Sequence, residues 1–113
     1  MDESITFYRD IIGLELRSRR EIPENKAEIA FLTDKQSDVQ LELTLWKEKK
    51  DWNQGDELDH LAFAVTNMDE AMEFFKKNKV EITKEPYSLR GSNTKIAFIL
   101  DPNGIWLEII ERK

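Results

Sequence analysis

Apolar residues recur along the chain with two different periods, and these periods predict a mixture of helices and strands. In residues 2–12 and 69–77 they return every three or four positions, which is typical of amphipathic helices. Elsewhere they alternate with polar residues, which is typical of strands with one covered face. This alternation predicts strands at 14–21, 27–33, 38–47, 57–66, 80–84, 94–100 and 105–111.

The same order of elements occurs twice at a nearly constant spacing. EIAFLTD at 28–34 resembles KIAFILD at 95–101, and DESITFY at 2–8 resembles DEAMEFF at 69–75, both at an offset of 67. VQLEL at 39–43 resembles IWLEI at 105–109 at an offset of 66. We therefore interpret residues 1–113 as one domain made of two repeats, 1–47 and 57–113, joined by a polar linker over 47–56.

The second repeat opens with a strand, 57–66, that has no counterpart in the first repeat. Subtracting the offset places the counterpart before Met1, and Met1 aligns with Met68. The pattern therefore predicts an α+β fold of two βαβββ units, of which the first lacks its opening strand in this chain. We expect this strand to lie upstream of the present start.

Composition and charge narrow the classes of function. The chain has 113 residues, which suits one compact domain, and a formal net charge of −6, which argues against nucleic acid or an anionic membrane as a partner. Without cysteine, thiolate metal ligands and a cysteine nucleophile are excluded. The chain carries no apolar run of roughly 20 residues and no recognisable signal peptide, so we expect a cytoplasmic protein.

Three residues of metal-binding type are predicted to share one face of the sheets. The only histidine, His60, alternates with small alanines, whereas the bulky residues of its strand point the other way. Glu42 and Glu108 occupy equivalent positions of the two repeats, and a carboxylate among apolar residues is costly unless it is paired or bound to a cation. Solvated glutamates and a surface histidine are the ordinary alternative. The shared face instead favours a divalent metal site (Ni, Zn, Co, Mn or Fe), completed by a second histidine on the missing strand.

Several segments together resemble a known family. FYRDIIGLEL, IAFLTD, LELT, DHLAFAV and IAFILDPNGIWLEII are similar to bacterial glyoxalase I (lactoylglutathione lyase) and its relatives in the glyoxalase/bleomycin resistance/dioxygenase, or vicinal oxygen chelate, superfamily. The resemblance covers nearly the whole chain. It implies paired βαβββ units that curl around a metal, and a homodimer whose clefts are shared between subunits. The family's second, third and fourth metal ligands match Glu42, His60 and Glu108.

The resemblance also implies a reaction on a small molecule. The substrate would be the hemithioacetal of an α-ketoaldehyde (methylglyoxal) with a thiol such as glutathione, and the product an α-hydroxy thioester. Such an isomerisation is classed as a carbon–sulfur lyase reaction. Glu108 would be the base that moves the proton, and Glu42 would complete the metal shell.

Two positions depart from the glyoxalase I pattern. Trp46 stands where the family has an asparagine that contacts glutathione, and the basic residue often found shortly before the family's second histidine is absent from the stretch that includes Asp56. Trp46 and Trp106, on the metal-facing side of their strands, are suited to stack on a flat ligand, although half-buried strand aromatics are common. Arg90 is a candidate partner for a substrate carboxylate, as are Lys47 and Lys95, although all three are also ordinary surface cations.

Two other functions compete with the lyase. The superfamily includes proteins that sequester bleomycin-type antibiotics in the same cleft without metal, and these tend to lack the histidine and glutamate ligands present here. It also includes ring-cleaving dioxygenases, which need two histidines and one carboxylate around iron. A single histidine makes the dioxygenase the weakest of the three hypotheses.

Overall fold

A computed structural model describes residues 1–49, 51, 59–88 and 90–112. The chain forms two compact units, Met1–Gln54 and Gly55–Lys113. The boundary between them falls within the predicted linker 47–56, most of which lies outside the described residues. Among the helices of the described part, none combines the length and the apolar character that a membrane span requires.

The first unit opens with a short helix that changes its type along its length. α1 (Asp2–Thr6) continues as a π-helical turn over Phe7–Ile11. The helix predicted at 2–12 is therefore present, but it is not α-helical throughout. Ile5 and Tyr8 are buried, as the apolar period predicts, and Gly13 ends the helix with φ of 92°, a conformation that glycine adopts readily.

Three antiparallel strands follow this helix and form the first sheet. Their order is β1-β2-β3, with β1 at Glu15–Ile22, β2 at Ala27–Thr33 and β3 at Gln40–Trp46. Buried side chains of β2, among them Ala30 and Leu32, belong to the core. Along β3 the residues alternate between half-buried and exposed, so this strand has one covered and one open face.

The second unit contains a full βαβββ succession. β4 (Leu61–Val65) leads into α2 (Met68–Lys77), which is followed by β5 (Ile82–Ser88), β6 (Lys95–Leu100) and β7 (Trp106–Glu111). The sheet order is β4-β7-β6-β5, with β4 parallel to β7 and the other pairs antiparallel. The α+β class and the two modules are thus as predicted, the first module having three described strands and the second four.

Two strand predictions were wrong in their bounds. The strand predicted at 80–84 lies at Ile82–Ser88, because β5 is an edge strand with two register irregularities and Pro86 in its middle, so it lacks a regular alternation. The strand predicted at 57–66 is regular only over Leu61–Val65, and residues 57–58 lie outside the described part. His60 therefore precedes β4 and is not part of it.

The last two strands of each unit pair in the same register. Phe31 faces Glu42 across β2 and β3, and Phe98 faces Glu108 across β6 and β7. The offsets between these positions are the 67 and 66 residues found in the sequence. This register supports the division into repeats at 1–47 and 57–113, which we retain as a proposal.

Candidate metal and catalytic site

Glu108 lies on the open face of the second sheet. Its neighbours on β7, Leu107 and Ile109, are buried on the opposite face. In the sheet register Glu108 has Ala62 on one side and Phe98 on the other. The side chain of Glu108 is 18% exposed, so it is largely covered but still reaches solvent.

His60 meets this carboxylate directly. The imidazole Nε2 lies 2.8 Å from Oε1 of Glu108, and Nδ1 lies 2.7 Å from Oδ1 of Asp59. The ring of Phe98 stands edge-on to the imidazole, with the ring centres 5.4 Å apart. The imidazole is thus fixed between two carboxylates and one aromatic ring, and its side chain is 30% exposed.

The two carboxylates favour the protonated imidazole. The hydrogen bond with Asp59 raises the pKa of His60 above its ordinary value of 6.5, partial burial opposes this, and the hydrogen bond with Glu108 raises the pKa further. In the protonated ring both nitrogens carry a hydrogen and donate to the flanking carboxylates. A metal ion that binds Nε2 must displace the proton there, so metal affinity should increase with pH.

Glu42 lies on the open face of β3 in the first unit. It is exposed, and its Oε1 accepts a hydrogen bond of 3.2 Å from the hydroxyl of Thr44. Of the three predicted ligands, the structure brings His60 and Glu108 into contact, and the role of Glu42 as the third remains a prediction. No group of three or more His, Cys, Asp or Glu side chains that could hold a metal ion is found within the described ranges.

The donor chemistry of the His60–Glu108 pair suits a divalent metal ion. Imidazole nitrogen and carboxylate oxygen are ligands that Zn, Ni, Co, Mn and Fe accept. The 2.8 Å between Nε2 and Oε1 is a direct hydrogen bond, so the two donor atoms are adjacent, and an ion bound to both would have to replace the proton between them.

The residues predicted to bind substrate occupy exposed positions. Trp106 begins β7, is 38% exposed and has its ring centre 5.5 Å from that of Phe98. Trp46 ends β3 and is 44% exposed. Arg90 is exposed in the turn after β5. The structure places Trp106 in the aromatic surroundings of His60, whereas a role for Trp46 and Arg90 stays a prediction.

Three residues around the His60–Glu108 pair were not predicted from the sequence. Asp59 contacts His60, Phe98 contacts both His60 and Trp106, and Lys84 places its ammonium 5.7 Å from the ring centre of Phe98. Phe98 could have been predicted, because the pairing of β6 with β7 places it beside Glu108 in the sheet. Lys84 could not, because the predicted strand ended there.

A complete βαβββ unit, a first unit with the same helix and three following strands, and an imidazole–carboxylate pair on one sheet face are typical of a vicinal oxygen chelate type of protein. Consistent with this, the model of the Glyoxalase/Bleomycin resistance protein/Dioxygenase superfamily matches residues 1–109. The chain belongs to this superfamily.

Lactoylglutathione lyases are among its relatives. The enzyme of Salmonella typhimurium is 33% identical over 115 residues, and that of Haemophilus influenzae is 35% identical over 116 residues. Both alignments cover 100% of this chain and 85% of the relative. The crystal structure of glyoxalase I from Zea mays matches with a TM-score of 0.87 and 31% identity, over 98% of this chain and 40% of the maize chain. These similarities identify a lyase-like enzyme.

Proposed function

We propose that this protein is a metal-dependent glyoxalase-type lyase. It converts the hemithioacetal of an α-ketoaldehyde such as methylglyoxal and a thiol such as glutathione into an α-hydroxy thioester. The observation that carries this proposal is the contact of 2.8 Å between His60 and Glu108 on an open sheet face, in a chain similar to lactoylglutathione lyases over its whole length.

The ligands in this proposal are Glu42, His60 and Glu108, with a further histidine expected upstream. A divalent ion bound there would polarise the two neighbouring oxygens of the hemithioacetal and stabilise the negative charge that develops when its carbon loses a proton. His60 supplies a neutral nitrogen once its Nε2 proton has left. Glu42 supplies a second carboxylate, which suits a hard oxygen-rich shell.

Glu108 acts as the base. Its carboxylate takes the proton from the carbon that bears the thiol and returns it to the adjacent carbonyl carbon, while the hydroxyl proton moves to the oxygen of that second carbon. One C–H bond breaks and one forms, so the reaction needs no oxidant or reductant. The side chain of Glu108 is only 18% exposed, so its carboxylate is partly shielded from water, which suits a proton transfer to and from carbon.

The side chains proposed to bind the substrate are chosen by their chemistry. Trp106 and Trp46 offer apolar surfaces for stacking, and Arg90 offers a cation for a carboxylate of the thiol. Trp46 stands where the resemblance to glyoxalase I implies an asparagine that contacts glutathione, so we propose the substrate partner as a thiol, of which glutathione is one example. We further propose a cytoplasmic homodimer, on the resemblance to glyoxalase I.

Metal-dependent turnover tests this proposal. Protein stripped with a chelator and reloaded with Ni, Zn, Co or Mn is assayed with methylglyoxal and glutathione by the absorbance of the thioester. We expect the stripped protein to be at least about 100-fold slower than the best loaded form. Turnover with a thiol other than glutathione would support the proposed reaction and assign a different thiol as the substrate partner. No turnover with any metal, together with tight binding of a bleomycin-type antibiotic by the stripped protein, would identify a binding protein instead.

A further inference from the structure

Asp59 contacts the side of His60 that is turned away from Glu108. Its Oδ1 lies 2.7 Å from Nδ1, whereas Nε2 faces Glu108. In metal sites the ring nitrogen that does not bind the ion commonly donates its hydrogen to a carboxylate, and this outer partner fixes the ring orientation. The arrangement of Asp59 and His60 has the geometry of such a pair.

The local backbone makes this contact possible. Within a strand, adjacent side chains point to opposite faces, so neighbouring residues do not meet. Asp59 and His60 precede the first residue of β4, Leu61, and their backbone is not held in the strand alternation. The carboxylate is therefore free to turn back onto the imidazole of the next residue.

The contact between Asp59 and His60 can fix the orientation of the imidazole, although it adds little to stability. The side chain of Asp59 is 92% exposed, and an exposed ion pair adds little to stability. The second torsion of a histidine side chain is broad and roughly twofold, so a ring held on one side only can exchange the positions of its two nitrogens. A carboxylate at Nδ1 favours the orientation in which Nε2 points to Glu108.

We propose that Asp59 is a positioning residue that holds the Nδ1 hydrogen of His60 and so presents Nε2 as a metal ligand beside Glu108. The inference rests on the proposed metal-dependent function. It deepens that function by naming a residue that tunes the site without touching the ion or the substrate.

The test uses the single histidine of the chain. In protein labelled with ¹⁵N-histidine every ring signal belongs to His60, so the ring nitrogens report directly on its hydrogen bonds. Asp59→Ala, Asp59→Asn and Asp59→Glu are compared with the wild type, first metal-free and then titrated with Zn or Ni against a chromophoric chelator. Glu73→Gln, the same loss of charge at an exposed position of α2, is the matched control.

We expect Asp59→Ala to shift the Nδ1 signal in the metal-free protein and to weaken metal binding about tenfold, with Asp59→Glu recovering part of the affinity. The melting temperature should stay within about 2 °C of the wild type, because the contact is exposed. Glu73→Gln should match the wild type in both measurements.

Two outcomes separate this inference from the proposed function. Suppose the wild type binds metal and Asp59→Ala has the same ring signals and the same metal affinity as the wild type. This result overturns the role of Asp59 and leaves the proposed metal site intact. If the wild type binds no metal, the proposed function is overturned, and so is the proposal that Nε2 is presented to an ion. The ring signals of the metal-free variants still decide whether Asp59 orients the imidazole.

Discussion

Glu108→Gln is expected to lower kcat about 1,000-fold in the metal-loaded protein. The amide has the same shape as the carboxylate and can still hydrogen-bond to His60, but it cannot accept a proton from carbon. Since Glu108 is also a proposed ligand, metal affinity should fall as well, and the kinetics must be measured at saturating metal. Steady-state rates with methylglyoxal and thiol provide the measurement, with circular dichroism to confirm the fold.

Glu73→Gln is the control for this variant, because it makes the same chemical change on the exposed surface of α2. Its kcat should equal that of the wild type. If Glu108→Gln retains kcat within a factor of about ten of the wild type at saturating metal, the proton is moved by another group. In that case the assignment of Glu108 as the base fails, whereas its role as a ligand is judged by its metal affinity.

Leu107→Ala is expected to destabilise the protein by about 2–5 kcal/mol. Leu107 is fully buried on the covered face of β7, next to the catalytic candidate Glu108, and pairs with Leu61 and Ile99 in the sheet register. Truncation removes apolar contacts on both sides and leaves a cavity that the strands cannot close. Urea denaturation followed by circular dichroism measures the loss.

Val39→Ala provides the comparison, because Val39 is 71% exposed just before β3. A surface truncation of this kind should change the free energy of unfolding by no more than about 0.5 kcal/mol. Equal losses in the two variants would mean that β7 does not turn Leu107 into the core. The opposite face, with Glu108, would then no longer be the accessible one.

Strand alternation was sufficient to predict the faces of the sheets. It placed Glu108 opposite Leu107 and Ile109, and the burial of these two residues confirms this for β7. Along β3 the leucines are half-buried and Glu42 is exposed, so the alternation is confirmed there, but the leucines are not fully buried. The repeat also anticipated which residues pair, since Phe31 with Glu42 and Phe98 with Glu108 occupy matching registers. These features depend on local periodicity, which a single sequence carries.

Other features depend on irregular backbone, which leaves no periodic pattern in the sequence. The contact of Asp59 with His60 was missed, because the histidine was assigned to a regular strand in which adjacent side chains diverge. The π-helical turn at Phe7–Ile11 was also missed, because apolar residues every three or four positions predict an α-helix and give no separate signal for a single wider turn. Periodicity indicates that Glu42 faces outward, but it does not determine which residues of another unit or subunit complete a site around it.

The metal content of the purified protein tests the central claim most directly. After dialysis against a divalent metal and removal of the excess, elemental analysis should find about one ion per chain in the wild type. His60→Gln should retain only a small fraction of that amount. A wild type without bound metal, or a His60→Gln variant with the same content as the wild type, would contradict a site built on His60 and Glu108.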